Sequence, residues 1–335
     1  MTDSSTTAQA SQQAALDLIR EGRRFVLSGH MRPDGDVLGS QAALASVLRA
    51  LGKEVWIMNP DPTEPQFDYL AEHNEFGAWR GGALPQHDVS VLLDCSEISR
   101  CGDLAPAITA ANSKKLVIDH HIHHGEDWWD ECYVDVSASA TGLLVYRIAK
   151  ELGVKLDLGG ALGVFTSLVT DTGWFKYSNT DAETLRVAGD LLEYGVDPST
   201  LYASIYQRNR SSHPGEISEI LGTTEYFADG RLAVICAPRE DNGAASAPNS
   251  DDALDILRSV SRVEAVLFLR ELSNGSVKLS ARSKTDFNVN ALAALFGGGG
   301  HRKASGATID GGLALVRQQL VDAALAQFDG GAGSA

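Results

Sequence analysis

Apolar residues in the first two thirds of the chain fall into two spacings. Short unbroken runs at 25–29, 55–58, 89–93 and 116–118 predict strands buried on both faces, as in a parallel sheet covered by helices. Between and after them, apolar residues recur at helical intervals over about 12–23, 37–51, 139–152, 159–170, 183–194 and 198–207. The alternation predicts an α/β fold whose N-terminal domain holds a doubly wound, mostly parallel sheet. The stretch 208–217, with Arg208, Arg210, Ser211, Ser212, Pro214 and Gly215, reads as a connection. Beyond it, strands are expected at 231–236, 263–269 and 276–281, with Asn274-Gly275 as a hairpin turn before the last. Helices near 251–259, 288–295 and 311–327 complete a smaller α/β C-terminal domain. The expected divisions are 12–195, a helical linker at 196–222, and 223–328. Residues 1–11 and 329–335, small, polar or Gly-rich, are expected to be disordered.

Three of the N-terminal strands run into a polar residue: His30, Asp94 and Asp119. In open α/β sheets ligands sit at the carboxyl ends of strands, so three such ends on one edge build a pocket. Asp34 and Asp36 occupy the turn after His30, His120 and His121 follow Asp119, and Asp171 follows a helix. Each alone has an ordinary reading. His30 suits a loop, Pro33-Asp34-Gly35 is turn chemistry, and Asp171-Thr172-Gly173 suits a helix end. Together they supply what a pair of divalent ions about 3.5–4 Å apart requires, a shared carboxylate flanked by carboxylates and imidazoles. Mixed oxygen and nitrogen donors suit Mn²⁺, and less selectively Mg²⁺, Co²⁺ or Zn²⁺; with no cysteine among them, a structural zinc site is not expected. His123 and His124 read as solvated loop residues, Trp128 and Trp129 as packing, and Arg208 and Arg210 as linker charge.

Charge narrows the substrate. With 44 acidic against 28 basic residues the net charge is −16, which argues against holding long duplex nucleic acid through its phosphates. Short anionic substrates stay open, because bound cations and a few placed arginines reverse the field inside a cleft. No apolar run is long enough to span a membrane, and the N-terminus lacks the basic start and apolar stretch of a signal peptide. Cys95, Cys101, Cys132 and Cys236 show no Cys-x-x-Cys spacing and read as free thiols, so a cytoplasmic location is expected.

The run His30-x-x-Pro33-Asp34-Gly35-Asp36, then Asp94, Asp119-His120-His121, Asp171 and finally Gly298-Gly299-Gly300-His301, resembles the motifs of the DHH phosphoesterase superfamily. The last, read as a Gly-rich loop, belongs to its DHHA1-type substrate domain. Order, spacing and the two-domain split agree from about residue 20 to 328, and the short length resembles the oligoribonuclease (nano-RNase) and pAp phosphatase branch. The resemblance implies an N-terminal DHH domain and a C-terminal DHHA1 domain. It implies that His30 and Asp34 bind one ion, that Asp36, His120 and Asp171 bind the other, and that Asp94 bridges them. Asp119 would orient ligands from behind, and His121 would contact the scissile phosphate or protonate the leaving oxygen. Arg282, Gly299, Gly300, His301, Arg302 and Ser305 would hold a substrate phosphate. The implied activity is metal-dependent hydrolysis, by water activated between two cations, of oligoribonucleotides of about 2–5 nucleotides and of 3′-phosphoadenosine 5′-phosphate (pAp). Partners would be short single-stranded RNA and small nucleotides, without membrane or long duplex, and a homodimer is compatible with the family. Cyclic dinucleotides, pyrophosphate or polyphosphate are alternative substrates, and a nucleotide-sensing binding protein is the non-enzymatic alternative.

Overall fold

The structure, a computed structural model, describes residues 3–123, 125–237 and 250–331, with side chains outside 3–10, Ser250 and 330–331. The chain divides into two units, Met1–Arg208 and Asn209–Ala335.

The first unit runs α1 (Asp3–Glu21), β1 (Arg24–Ser28), α2 (Gly35–Ala50), β2 (Glu54–Asn59), α3 (Asp68–Ala71), β3 (Phe76–Ala78), β4 (Val89–Leu93), α4 (Ala105–Ala110), β5 (Lys114–Asp119), β6 (Glu131–Val134), α5 (Thr141–Glu151), α6 (Leu158–Asp171), α7 (Ala182–Leu192) and α8 (Pro198–Tyr206). Its strands form one parallel sheet in the order β3-β2-β1-β4-β5-β6. The order reverses between β1 and β4, the switch point at which such sheets bind ligands. Register fixes the edge: Ser28 pairs with Leu92, and Leu93 with Ile118. Gly29-His30, Asp94 and Asp119 therefore emerge level with one another. Val89 to Leu93 is buried throughout, and Phe25, Leu27, Val91, Leu116 and Ile118 share a core with residues of α2, α5 and α6. Each fully buried side chain of that size is worth about 1.5–3 kcal/mol, so the strands are pinned in this register.

Helices α2 and α6 cross at glycine. A Cβ on Gly39 would lie 2.4 Å from the Gly163 carbonyl oxygen, and one on Gly163 would lie 2.5 Å from that of Gly39. This close approach matters because α2 begins at Gly35-Asp36 and α6 ends at Asp171.

The second unit runs α9 (His213–Leu221), β7 (Glu225–Phe227), β8 (Leu232–Ala237), α10 (Ser250–Arg258), β9 (Ala265–Glu271), β10 (Val277–Ser283), α11 (Val289–Ala294), β11 (Gly299–His301), β12 (Ala304–Ile309) and α12 (Leu313–Gly331). The sheet order is β11-β12-β10-β9-β8-β7, with β8 and β9 parallel and the remaining pairs antiparallel. One face packs Val277, Leu279 and Ala281 against α11 and α12; on the other, α9 and α10 cover Ala233, Ile235, Val266 and Phe268.

Three expectations change. The helix expected from about residue 12 begins at Asp3, because the Ala- and Gln-rich run after Thr7 favours helix as readily as a disordered start. The stretch 196–222 is not a separate linker. Helix α8 buries Leu201 in the first unit's core, whereas α9, whose start at His213-Pro214 was read as connection, buries Ile217 and Ile220 in the second. The Gly-rich segment taken for a loop is an edge hairpin, Gly299 pairing with Gly306 and His301 with Ala304. Gly300 at φ 135° needs its missing side chain: a Cβ would lie 2.6 Å from the Ala304 carbonyl oxygen. Helix α12 runs on to Gly331, and residues 332–335 lie outside the described residues.

Candidate metal centre

Helix α2 shapes the first part of the site. Asp34 is its N-cap: Oδ1 accepts from the backbone N–H groups of Asp36 and Val37, both at 3.1 Å. Its Oδ2 faces His30 Nε2 at 3.6 Å. Asp94 approaches the same nitrogen at 3.7 Å. Asp94 sits at φ 58°, a left-handed conformation that aspartate tolerates better than most residues, just beyond the end of β4. The Nδ1 of His30 lies 2.8 Å from the Met31 carbonyl oxygen, so Nδ1 donates there and Nε2 is turned toward the two carboxylates.

His120 repeats the arrangement. Nδ1 lies 3.1 Å from the Ala138 carbonyl oxygen, and Nε2 faces Asp36 Oδ2, Asp94 Oδ1 and Asp171 Oδ2 at 3.5, 3.5 and 3.6 Å. These separations exceed a hydrogen bond, and the buried Nε2 has no hydrogen-bond partner. A buried nitrogen left without a partner is costly. Three carboxylate oxygens around it form the donor set of a cation, so the residues present fit a divalent ion. His30, Asp34 and Asp94 form one group able to hold a metal; Asp36, His120 and Asp171 form another.

Charge inside the cluster follows. Burial would lower the pKa of His30, but Asp34 and Asp94 outweigh it and hold the imidazole at about 10. Against the same burial, Asp94, Asp36 and Asp171 hold His120 at about 11. Burial and the neighbouring Asp94 push the Asp36 carboxyl well above its ordinary range, and burial raises Asp171 to about 6. Asp94 goes the other way: despite burial, His120 and His30 draw it well below the usual carboxylate range. The cluster thus carries more negative charge than its own cations balance, and it gathers protons where metal would compete for the same atoms.

Asp119 is fully buried and stands behind the cluster. Ser96 donates to its Oδ2 at 2.6 Å, while Oδ1 meets His121 Nδ1 at 2.8 Å and accepts from the His121 backbone N–H at 3.0 Å. Asp119 therefore orients His121, and the Ala138 carbonyl orients His120.

Several supports were not expected from sequence. The N-terminus of α5 points at Asp36, whose oxygens accept from Thr141 N at 2.9 Å and Gly142 N at 3.3 Å. The Thr141 hydroxyl donates to Asp94 Oδ1 at 2.9 Å, so one residue ties the Asp36 and Asp94 carboxylates together. Ser167 Oγ donates to Asp36 Oδ1 at 2.5 Å, and Asn179 Nδ2 donates to Asp171 Oδ2 at 3.3 Å. Ser167 lies four residues before Asp171, one turn apart on the same helix face, a spacing visible in the sequence. Thr141 and Asn179 carry no comparable signal.

Other assignments move. His123, read as solvated, stacks edge-on against Trp129 with ring centres 4.8 Å apart; His124 lies outside the described residues. Trp128 packs and donates from Nε1 to the Ser96 carbonyl at 2.7 Å. In the second unit, Arg282, Ala304 and His301 are paired in sequence across β10, β12 and β11. Arg282 meets Asp251 at 2.9 Å, and Arg302 donates to the Asp286 carbonyl at 3.2 Å. Ser305 is buried with its hydroxyl donating to the His301 carbonyl at 2.7 Å, so it holds the hairpin closed.

Residues 24–162 match the family model described as "DHH family, N-terminal domain", and residues 205–330 match that of the DHHA1 domain. The bifunctional oligoribonuclease and PAP phosphatase NrnA of Thermus thermophilus is 34% identical over 87% of this chain and 85% of its own length. The protein of the same name from Bacillus subtilis is 30% identical over 85% of this chain and 89% of its own length. A crystal structure of an exopolyphosphatase-related protein from Bacteroides fragilis superposes with a TM-score of 0.85 at 25% identity, covering 94% of this chain and 96% of that one. Identity at this level over nearly whole chains carries more than fold: the chain belongs to the DHH/DHHA1 phosphoesterase superfamily, in its oligoribonuclease and PAP phosphatase branch.

Proposed function

We propose that the protein hydrolyses phosphoester bonds in short nucleotides, taking oligoribonucleotides of about 2–5 nucleotides to mononucleotides and pAp to AMP. The observation that carries the reading is the partnerless buried Nε2 of His120 facing oxygens of Asp36, Asp94 and Asp171. The names of the Thermus and Bacillus relatives support the substrate class. His30, Asp34 and Asp94 would hold one divalent ion and Asp36, His120 and Asp171 the second, with Asp94 serving both. Two such ions polarise a phosphoryl oxygen and acidify a water enough to attack phosphorus near neutral pH. Manganese suits the mixed carboxylate and imidazole donors.

The chain's own residues do the rest. Carbonyls of Met31 and Ala138 fix the tautomers of His30 and His120. Asp119 fixes His121, and Asp119 and Asp94 raise its basicity against the opposing effect of burial. His121 then holds a proton at Nε2 for the departing oxygen. Arg282 and His301, with Gly299 and Gly300 as a low floor and Arg302 at the rim, would receive a terminal phosphate. The net charge of −16 supports action on short strands rather than long duplex.

Purified protein with Mn²⁺ is to be offered pAp, dinucleotide RNA, a cyclic dinucleotide and pyrophosphate. Turnover of the first two, abolished by Asp94→Ala or His120→Ala, is expected. Turnover of pyrophosphate alone, or full activity in either variant, overturns the assignment.

A further inference from the structure

We infer that Arg147 is a positioning residue for the metal centre: by gripping Asp135 and Glu183 at once, it sets the arch of chain that aims His120 and Asp36. The inference rests on the metal reading proposed above and adds residues which that reading does not use.

The arch is the segment 135–141, between the end of β6 and the first residue of α5. It starts at the sheet edge, where the Asp135 backbone N–H continues the ladder by donating to the Asp119 carbonyl at 3.2 Å. It ends at Thr141, whose N–H donates to Asp36. Between these points the Ala138 carbonyl accepts from His120 Nδ1. His120 and Asp36, grouped with Asp171 around one candidate ion, are therefore aimed by one short irregular segment. Such a segment has no strand or helix ladder of its own, so its shape depends on side chains.

Asp135 folds the arch. Its Oδ1 accepts from the Ser137 backbone N–H at 2.9 Å and the Ser137 hydroxyl at 2.6 Å, and its carbonyl accepts from the Ala138 N–H at 3.0 Å. Its Oδ2 accepts from Arg147 Nη1 at 2.7 Å. The same guanidinium forks onto Glu183, Nε at 2.8 Å and Nη2 at 2.6 Å. Arg147 stands on α5 and Glu183 in the first turn of α7. Helix α7 and the chain leading to it take a second hold. The Thr184 and Ser139 hydroxyls meet at 2.8 Å, and Asn179 donates to the Ser139 carbonyl at 3.0 Å. The two fastenings, at Asp135 and Ser139, bracket Ala138.

The side chains of Arg147, Asp135 and Glu183 are only 24, 21 and 37% exposed. At such burial the attraction between ions roughly offsets their loss of water, so the triad adds little net stability. What it adds is direction, because a planar fork with fixed N–H vectors admits one placement of the arch against α5 and α7. A shift of the arch moves the Ala138 carbonyl and turns His120 Nε2 away from Asp36, Asp94 and Asp171. His30 and Asp34 are oriented differently, by the Met31 carbonyl and by backbone N–H groups of α2. Loss of the grip therefore falls on one ion more than on the other.

Two full-length variants test this. Arg147→Met keeps the aliphatic stem and removes the fork; Asp135→Asn keeps an acceptor for Ser137 and removes the charge. Mn²⁺ is titrated calorimetrically into each EDTA-stripped protein, and the binding step that His120→Gln abolishes identifies the ion held by His120. That step should weaken about tenfold in both variants, the lower end of the range for losing a group behind a metal ligand, while the other step keeps its wild-type affinity. In metal-free protein isotope-labelled at histidine, the His120 Nδ1–H resonance should exchange with solvent faster in Arg147→Met than in wild type. Wild-type affinity at the His120 step in both variants overturns the positioning role. Equal weakening of both steps overturns it too, since general loosening of the fold would give that result. If Arg147→Met does not fold, Asp135→Asn decides in its place. If wild-type protein binds no Mn²⁺, the metal reading fails, and Nδ1–H exchange in the metal-free protein still decides whether Arg147 sets His120.

Discussion

Replacing Thr141 by valine removes one hydroxyl and keeps the shape of a fully buried side chain. The lost interaction is the 2.9 Å hydrogen bond to Asp94 Oδ1, the carboxylate proposed to serve both metal positions. The backbone N–H of Thr141, which donates to Asp36, is untouched. A hydrogen bond to a charged buried group is worth about 1.5–3 kcal/mol. At about 1.4 kcal/mol per factor of ten, Mn²⁺ should bind roughly 10- to 100-fold more weakly, the range typical when a group behind a metal ligand is lost. Calorimetric titration of Mn²⁺ into EDTA-stripped protein reads this directly, and kcat at saturating metal should fall much less than affinity. Thr141→Ser, which keeps the hydroxyl, should recover most of the affinity. Valine binding metal as tightly as threonine, or serine binding as weakly as valine, would refute the argument that Thr141 acts through Asp94.

Other consequences follow from the same geometry. His30 and His120 in the metal-free protein are raised to about 10 and 11 from 6.5, so their stabilisation is complete below about pH 6.5 and is lost as pH rises through those values. Urea unfolding in EDTA should show stability falling between pH 7 and 10, by at most about 1.4 kcal/mol per pH unit for each proton retained, and a flat profile in that window would contradict it. Mn²⁺ affinity should rise over the same range, because the ion displaces those protons. Gly39→Ala should lower stability by about 1–3 kcal/mol, the usual cost of overpacking, and weaken metal binding as well. Its Cβ would press on Gly163 and on Ser167, which holds Asp36. Arg282→Ala should raise KM for pAp without lowering kcat, whereas Asp251→Asn, removing the ion pair at 2.9 Å, should lower that KM.

What could be read from the sequence and what could not differ in physical kind. Runs such as Val89 to Leu93 announce their burial, and a residue that ends a strand lies on a predictable edge, so His30, Asp94 and Asp119 could be grouped before any coordinates. The short strands at Phe76–Ala78, Glu131–Val134 and Glu225–Phe227 were missed because edge strands are half-solvated and show no continuous apolar run. The Gly-rich stretch misled for a related reason: glycine removes the side-chain pattern by which a strand is recognised, and only pairing with Ala304 to Gly306 makes Gly299 to His301 a strand. Within the site, the candidate donors were legible as residue types, and the division of labour among Asp119, His120 and His121 came only from the family resemblance. What enforces it was not legible: backbone carbonyls and carboxylates separate the three neighbours. His120 is turned by Ala138 toward Asp36, Asp94 and Asp171, and His121 is turned by Asp119. Ala138 sets the direction of His120, and Thr141, Ser167 and Asn179 hold the carboxylates it faces; of these only Ser167, one turn before Asp171, has a spacing visible in the sequence. A metal centre of this kind is thus specified twice. Donor chemistry shows in the sequence, whereas donor orientation appears only once α5 and α6 have closed on the sheet edge.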